Sequence, residues 1–435
     1  MTTDLLFRNA TVLTMDRGFT ILENADVAIE GARITHVRPT SAAPAKRVID
    51  ATGKLVMPGL INCHTHAAMT LMRGLADDLA LDAWWQTFIF PIEKKLVDAE
   101  FVSVGTGLAA IEMLRSGTTS FVDMYFFEDA AAETCRQIGI RAFLGEGVLD
   151  FPSPDSPTPE DALRTIEALD SKWRGEPTVH LMVAPHAPYS CSEPNLLKCK
   201  TLADRLGLPI HIHVSETAQE VVDSRGLHGL TPVQYLDGIG FLDEHVLAAH
   251  CVHVVEADLD ILMRRQVKVA HCPESQMKLA SGVAPVPSML GRGIAVGLGT
   301  DGAASNNDLN LWGEMRSAAM CQKLVRLDPT AMNARDAVTM ATCRAAQAIG
   351  RPDLGSVERG KTADVIMVDL RQPQFTPLYN IYSHLVYAAS GAEVDTAVVN
   401  GRLVMEDRRV LTVDQAEILD QAARIGQAIK DEVYA

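Results

Sequence analysis

Apolar and polar positions alternate in short runs over residues 1–57: Ala10-Thr11-Val12-Leu13-Thr14, Ala25-Asp26-Val27-Ala28-Ile29 before the Glu30-Gly31 turn, and Ile34-Thr35-His36-Val37. A period of two marks strands with one buried face. The same texture returns in Asp364-Val365-Ile366-Met367-Val368 and Thr396-Ala397-Val398-Val399. There Asn400-Gly401 offers a two-residue hairpin turn into Arg402-Leu403-Val404-Met405. Both chain ends, 1–57 and 355–435, are therefore expected to build one small β-sandwich domain.

Between them, over 58–354, short apolar runs alternate with helix-length segments, the pattern of βα units around a parallel sheet. Eight strands are expected: Leu60 to His64, Thr119 to Met124, Ala142 to Val148, Val179 to Ala184, Pro209 to Val214, Val246 to His250, Val267 to His271 and Ala295 to Leu298. Thr158-Pro159-Glu160-Asp161 reads as a capped helix start, with Gly175 beyond the helix it opens. A second helix runs from about Glu100 to Arg115 and stops at Gly117. Eight such units predict an α/β fold, a TIM-type (β/α)8 barrel, with an open doubly wound sheet as the alternative.

Composition narrows the function. The chain has 435 residues and a net charge of -16, which would repel a phosphate backbone, so nucleic acid is excluded as a partner. No stretch reaches the ~18 apolar residues of a membrane span, and the N-terminus lacks a basic segment followed by an apolar run. A cytoplasmic protein, homo-oligomeric and acting on a small molecule, is the expectation. Eight cysteines without a Cys-x-x-Cys pair read as reduced thiols.

Chemistry in a barrel sits at the C-terminal ends of its strands. Seven of the thirteen histidines fall there: His64, His66, His186, His211, His213, His250 and His271. His64 and His66 are two apart, so their imidazoles share a side. With His213 and Asp301 they make three nitrogens and a carboxylate, a set that suits zinc or ferrous iron. Glu216, just past His213, is placed to reach a substrate atom above the metal. His250 lies in an apolar stretch, and His271, Cys272 and His180 read as structural. A lysine that could bridge two ions is missing from Val183-Ala184-Pro185-His186, so one divalent metal is expected.

Pro58-Gly59-Leu60-Ile61-Asn62-Cys63-His64-Thr65-His66, the His213 to Glu216 spacing, His250-Cys251-Val252-His253 and Gly299-Thr300-Asp301-Gly302 together resemble the amidohydrolase superfamily. Within it the chain is most similar to the 5'-methylthioadenosine/S-adenosylhomocysteine deaminases. That likeness rests on Met69-Thr70-Leu71-Met72-Arg73-Gly74, Phe90-Pro91-Ile92-Glu93, Ala184-Pro185-His186-Ala187-Pro188-Tyr189 and Ala303-Ala304-Ser305-Asn306-Asn307. The pattern is broken at Gln276, where the family has asparagine. The resemblance implies Zn2+, with Fe2+ as the alternative, held by His64, His66, His213 and Asp301. It further implies substrate contacts from Glu93 to the ribose hydroxyls and from His186, Ser305, Glu216 and Asp301, under a cap of Trp84, Trp85 and Phe88. Its implied reaction is hydrolytic deamination of an adenine nucleoside: Asp301 takes the water proton, Glu216 protonates the ring nitrogen, and His250 orients the attacking oxygen.

The rivals are another mononuclear amidohydrolase, such as a guanine or cytosine deaminase or a chlorotriazine hydrolase, and a noncatalytic metal-stabilised scaffold. Among adenine nucleosides, the loop from Asp150 to Asp161 holds four acids and no arginine or lysine. It is expected to repel the α-carboxylate of S-adenosylhomocysteine and to favour 5'-methylthioadenosine or adenosine.

Overall fold

The computed structural model describes residues 3–39, 44–79 and 81–433; the few remaining positions of the expected domains lie outside the described residues. Eight parallel strands follow one another in chain order: β1 Leu60–Thr65, β2 Thr118–Tyr125, β3 Arg141–Val148, β4 Val179–Pro185, β5 Ile210–Val214, β6 Val246–His250, β7 Lys268–His271 and β8 Val296–Leu298. All eight expected strands are present, within a residue or two of their expected ends. Nearly every residue in them is buried, because the barrel interior covers one face and the outer helices the other. The last strand closes on the first through Asp301 N–H to the His64 carbonyl (2.9 Å) and a reciprocal pair of Asn62–Thr300 hydrogen bonds.

Inside the barrel Ile61, Cys63, Val122, Phe143, Met182, Leu247 and Ala270 form a plug, capped below by Ala345, Ile349 and Leu354. The Thr158 hydroxyl accepts from Asp161 N–H (3.2 Å) and so caps helix Pro159–Trp173, as its sequence predicts.

A nine-stranded mixed sheet joins the two chain ends. Thr3–Leu13 pairs antiparallel with Ile21–Glu30 and parallel with Ala45–Asp50 and Lys54–Pro58. Lys54–Pro58 in turn pairs antiparallel with Val365–Asp369. Asn400 and Gly401 both have positive φ (51° and 76°), as a tight hairpin turn requires. The C-terminal segment does not stay with this sheet. Helix Gln415–Val433 packs on barrel helix Ala99–Arg115, with Ile418 beside Gly107 and a Lys95–Glu432 ion pair.

Arg141 begins β3 at the opposite end of the barrel from the strand-end histidines. There it forms a buried bidentate pair with Asp364 (2.8 and 2.9 Å) that ties the barrel to the small sheet.

Candidate active site

At the C-terminal mouth of the barrel, the Nε2 atoms of His64 and His66 lie 3.4 and 3.3 Å from Asp301 Oδ1. His64, His66 and Asp301 present donor atoms within 4.8 Å of one another, and so do His64, His213 and His250. Each ring is turned by its other nitrogen. His66 Nδ1 lies 2.6 Å from the Met124 carbonyl and His213 Nδ1 2.8 Å from the His186 carbonyl. A carbonyl only accepts, so both Nδ1 atoms carry the proton and both Nε2 lone pairs face the centre.

His64 is set by a longer relay. His211 Nδ1 donates to the Leu247 carbonyl (3.0 Å), leaving His211 Nε2 as an acceptor, and His64 Nδ1 donates to it at 2.7 Å. His64 Nε2 is then a bare lone pair, buried and without a hydrogen-bond partner. An orphaned buried nitrogen aimed at two further nitrogens and a carboxylate fits a divalent metal. Burial also lowers the His64 pKa to about 4, which keeps the ring a neutral ligand.

Backbone geometry aims several of these groups. Leu247 packs inside the barrel while Val246 and Ala248 pack outside it, so an unbroken strand would turn His250 outward. His250 instead has φ 73° and faces Glu216, with Nε2 3.7 Å from Glu216 Oε2. Ser215 (φ 54°) and Asp301 (φ 64°) occupy the same sparsely populated region, a strain of about 1–3 kcal/mol each. His271 follows the strand parity outward. It is fully buried with neither ring nitrogen paired and does not line the cavity.

A cavity of about 400 Å³ opens over this centre. His66, His213, Glu216, His250, Asp301 and Ser305 line its floor, and Glu93, His186 and Trp84 its walls. All the site residues expected from the sequence therefore meet in one place, except His64, which lies buried beneath it. Burial, followed by the neighbouring Asp301 charge, pushes the Glu216 carboxyl up to about 8. Burial also raises Glu93 to about 7, against a lowering from the Tyr125 hydroxyl. Burial would raise Asp301 as well, but the His64 and His66 imidazoles beside it hold it well below the usual carboxylate range.

Two expectations change. The cap presents Trp84, Trp85 and Phe90 to the cavity, while half-buried Phe88 packs against the core and does not line the cavity. None of the four loop acids faces the substrate space. Asp150 accepts from Ser192 N–H and Asn195, Asp155 from Phe127 N–H, Glu160 pairs with Lys198, and Asp161 with Arg164. The loop shows the cavity Phe151, Pro152, Ser153 and Pro154 instead. Among the described lining residues, Lys94 is the only lysine or arginine.

Sequence reasoning missed three supporting groups. His211 sets the His64 tautomer, and Ser275 Oγ donates to Asp301 Oδ2 at 2.7 Å. Glu220 accepts from Ser215 N–H and Glu216 N–H (2.8 and 2.7 Å) and so fixes the backbone that carries Glu216. The last was legible, because Thr217-Ala218-Gln219-Glu220 has the capping-box spacing.

The amidohydrolase family model matches residues 55–404. A 5-methylthioadenosine/S-adenosylhomocysteine deaminase of Syntrophobacter fumaroxidans is 48% identical over 98% of both chains. The crystal structure of an adenosine deaminase from Xanthomonas campestris, with bound zinc, is 37% identical over 99% of each chain, with a TM-score of 0.97. An atrazine chlorohydrolase of Arthrobacter aurescens, also solved with zinc, shares the fold at 24% identity and a TM-score of 0.92, covering 97% of this chain and all of its own. With the strand-end donor set, the cavity above it and these likenesses in agreement, the chain belongs to the amidohydrolase family.

Proposed function

We propose that this chain is a zinc-dependent hydrolase that deaminates adenine nucleosides. The observation that carries the reading is the meeting of buried Glu216, whose carboxyl burial pushes up to about 8, with Asp301 and His250 above the metal donors, in a cavity that has a second buried carboxyl, Glu93, on its wall. Relatives at 42–48% identity bear the deaminase name, and the zinc in the Xanthomonas campestris structure suits three imidazoles and a carboxylate.

His64, His66, His213 and Asp301 would hold the ion. When bound, it supplies Lewis-acid activation of a water. The side chains then divide the proton transfers. Asp301, kept ionised, accepts the proton that the attacking water loses. Glu216 gives its proton to the ring nitrogen beside the amino-bearing carbon, which relieves the electron density opposing attack there. The neutral His250 ring orients the incoming oxygen. Asp301 next returns its proton to the amino group, and the carbon–nitrogen bond breaks to release ammonia. Glu216 recovers a proton from the new hydroxyl, leaving the hypoxanthine product and the starting protonation states. Glu93 receives the ribose hydroxyls, and His186, its Nδ1 held by Ser190 Oγ at 2.8 Å, turns Nε2 toward the nucleoside.

Trp85, Phe90 and Phe151 form an apolar wall, with ring centroids 5.4–6.2 Å apart. That wall, rather than repulsion from the loop acids, favours the thioether methyl of 5'-methylthioadenosine. A noncatalytic scaffold gives no reason for a cavity to open on the donors. A panel of adenosine, 5'-methylthioadenosine, S-adenosylhomocysteine, guanine, cytosine and a chlorotriazine, assayed on metal-replete protein for ammonia or chloride release, tests the reading. It fails if a non-adenine substrate has the highest kcat/KM.

A further inference from the structure

The apolar wall of the cavity belongs to a loop with little secondary structure of its own, tied at its start by Asp150 to Ser192 and Asn195 and, beyond the wall residues, by Asp155. Asp155 Oδ2 accepts from Phe127 N–H at 2.6 Å, just beyond β2, and Asp155 Oδ1 accepts from Ser153 Oγ at 3.0 Å within the loop. The buried Glu146 carboxyl, from β3, interacts electrostatically with the Asp155 carboxyl. Glu146 is 1% exposed and also accepts from Glu128 N–H at 3.0 Å, while Glu128 accepts from Tyr125 N–H at 3.1 Å. Phe127 itself is held at φ 53°, so the amide that meets Asp155 is fixed by a strained turn. On the cavity side, Phe151 carries the aromatic contacts to Trp85 and Phe90 of the cap, next to Glu93.

We propose that Asp155 is a positioning residue for the substrate pocket: through Phe127 N–H and the Glu146 carboxyl it fixes the Phe151–Pro154 wall against which the aromatic cap and the nucleoside are seated. Asp155 does not touch substrate and acts through that wall.

Two neighbouring carboxyl groups, one of them buried, repel when both are ionised. The titratable groups facing Glu146 are Asp155 from the loop, Glu128 from helix Glu128–Ile138 and, beyond it, Asp123 from β2. Among the described residues no ion pair reaches any of them. Burial, then the Asp155 contact, raises Glu146 well above its usual range. With the Glu146 proton gone at alkaline pH, Glu146 and Asp155 repel and the wall loosens. The loss falls on substrate binding and not on the metal, which is held elsewhere.

The test uses metal-loaded full-length protein with 5'-methylthioadenosine, assayed from pH 7 to 10, and amide hydrogen exchange of segment 149–157. Asp155→Ala should raise KM about tenfold or more with kcat changed less than threefold, keep its metal, and speed exchange at Ser153 and Ser156. Asp155→Asn should restore KM, since its amide oxygen can accept from Phe127 N–H. The wild-type KM should climb at alkaline pH. Glu146→Gln, whose amide cannot ionise, should flatten that climb. An Asp155→Ala variant with normal KM and normal exchange overturns the proposal. So does a Glu146→Gln variant with an unaltered alkaline rise. If the wild type deaminates no adenine nucleoside, the functional reading fails instead, and the exchange data alone then decide the role of Asp155.

Discussion

Replacing His211 by leucine isolates the relay that sets the metal ligand. His211 does not line the cavity, and among the described residues its Nε2 is the only acceptor for His64 Nδ1–H. Leucine leaves that N–H buried and unpaired, which costs about 1–3 kcal/mol. The alternative is for His64 to move its proton to Nε2, where it blocks the lone pair meant for the ion. Either way the penalty falls on metal binding. At about 1.4 kcal/mol per decade, the metal dissociation constant should rise between about fivefold and 150-fold, the range found when outer partners of ligating histidines are removed. The assay is competition for zinc against a chromophoric chelator, with kcat measured at saturating metal. Turnover per bound metal should stay within a few-fold of wild type, and His211→Gln, whose Oε1 can accept the same hydrogen bond, should recover most of the affinity. Zinc affinity within twofold of wild type in His211→Leu would refute the tautomer argument.

Three further outcomes follow from the same geometry. Elemental analysis should give one tightly held divalent metal per chain, lost in His66→Ala; two tight equivalents that are both needed for activity would contradict the donor count. 5'-Methylthioadenosine or adenosine should show a higher kcat/KM than S-adenosylhomocysteine. The reverse order would point to Lys94 as a carboxylate partner, testable by Lys94→Ala. If Glu93 binds the ribose hydroxyls as a carboxylate, KM should fall as pH rises through about 7, the value to which burial lifts it. That acid-side limb should vanish in Glu93→Gln, and its survival there would remove Glu93 from the binding role.

The strand framework was legible because each barrel strand is covered on both faces and therefore reads as a short, mostly apolar run, and most of them lead into a histidine or aspartate at the barrel mouth. Thr158 and Asn400-Gly401 were legible because caps and tight turns have local chemistry. What escaped depends on contacts distant in sequence. Helix Gln415–Val433 has an apolar stripe but nothing in it says that Gly107 receives Ile418. The loop acids are as polar in sequence as any that face a ligand, and only the fold turns Asp155 inward and Phe151 outward. His250 breaks strand parity through a positive φ that its sequence does not announce. His211 could have been read further: two residues before His213 on one strand, it must face the same side one layer deeper, where a histidine can only support another group.

Glu216→Gln, studied with its metal content, tests the central claim most directly. Glutamine keeps the size and the backbone contacts to Glu220 but cannot give a proton to the ring nitrogen. The account predicts a variant that binds one equivalent of metal, retains substrate affinity, and deaminates 5'-methylthioadenosine with kcat lowered about 10²- to 10⁴-fold. A Glu216→Gln protein with full metal content and near-wild-type kcat would contradict it.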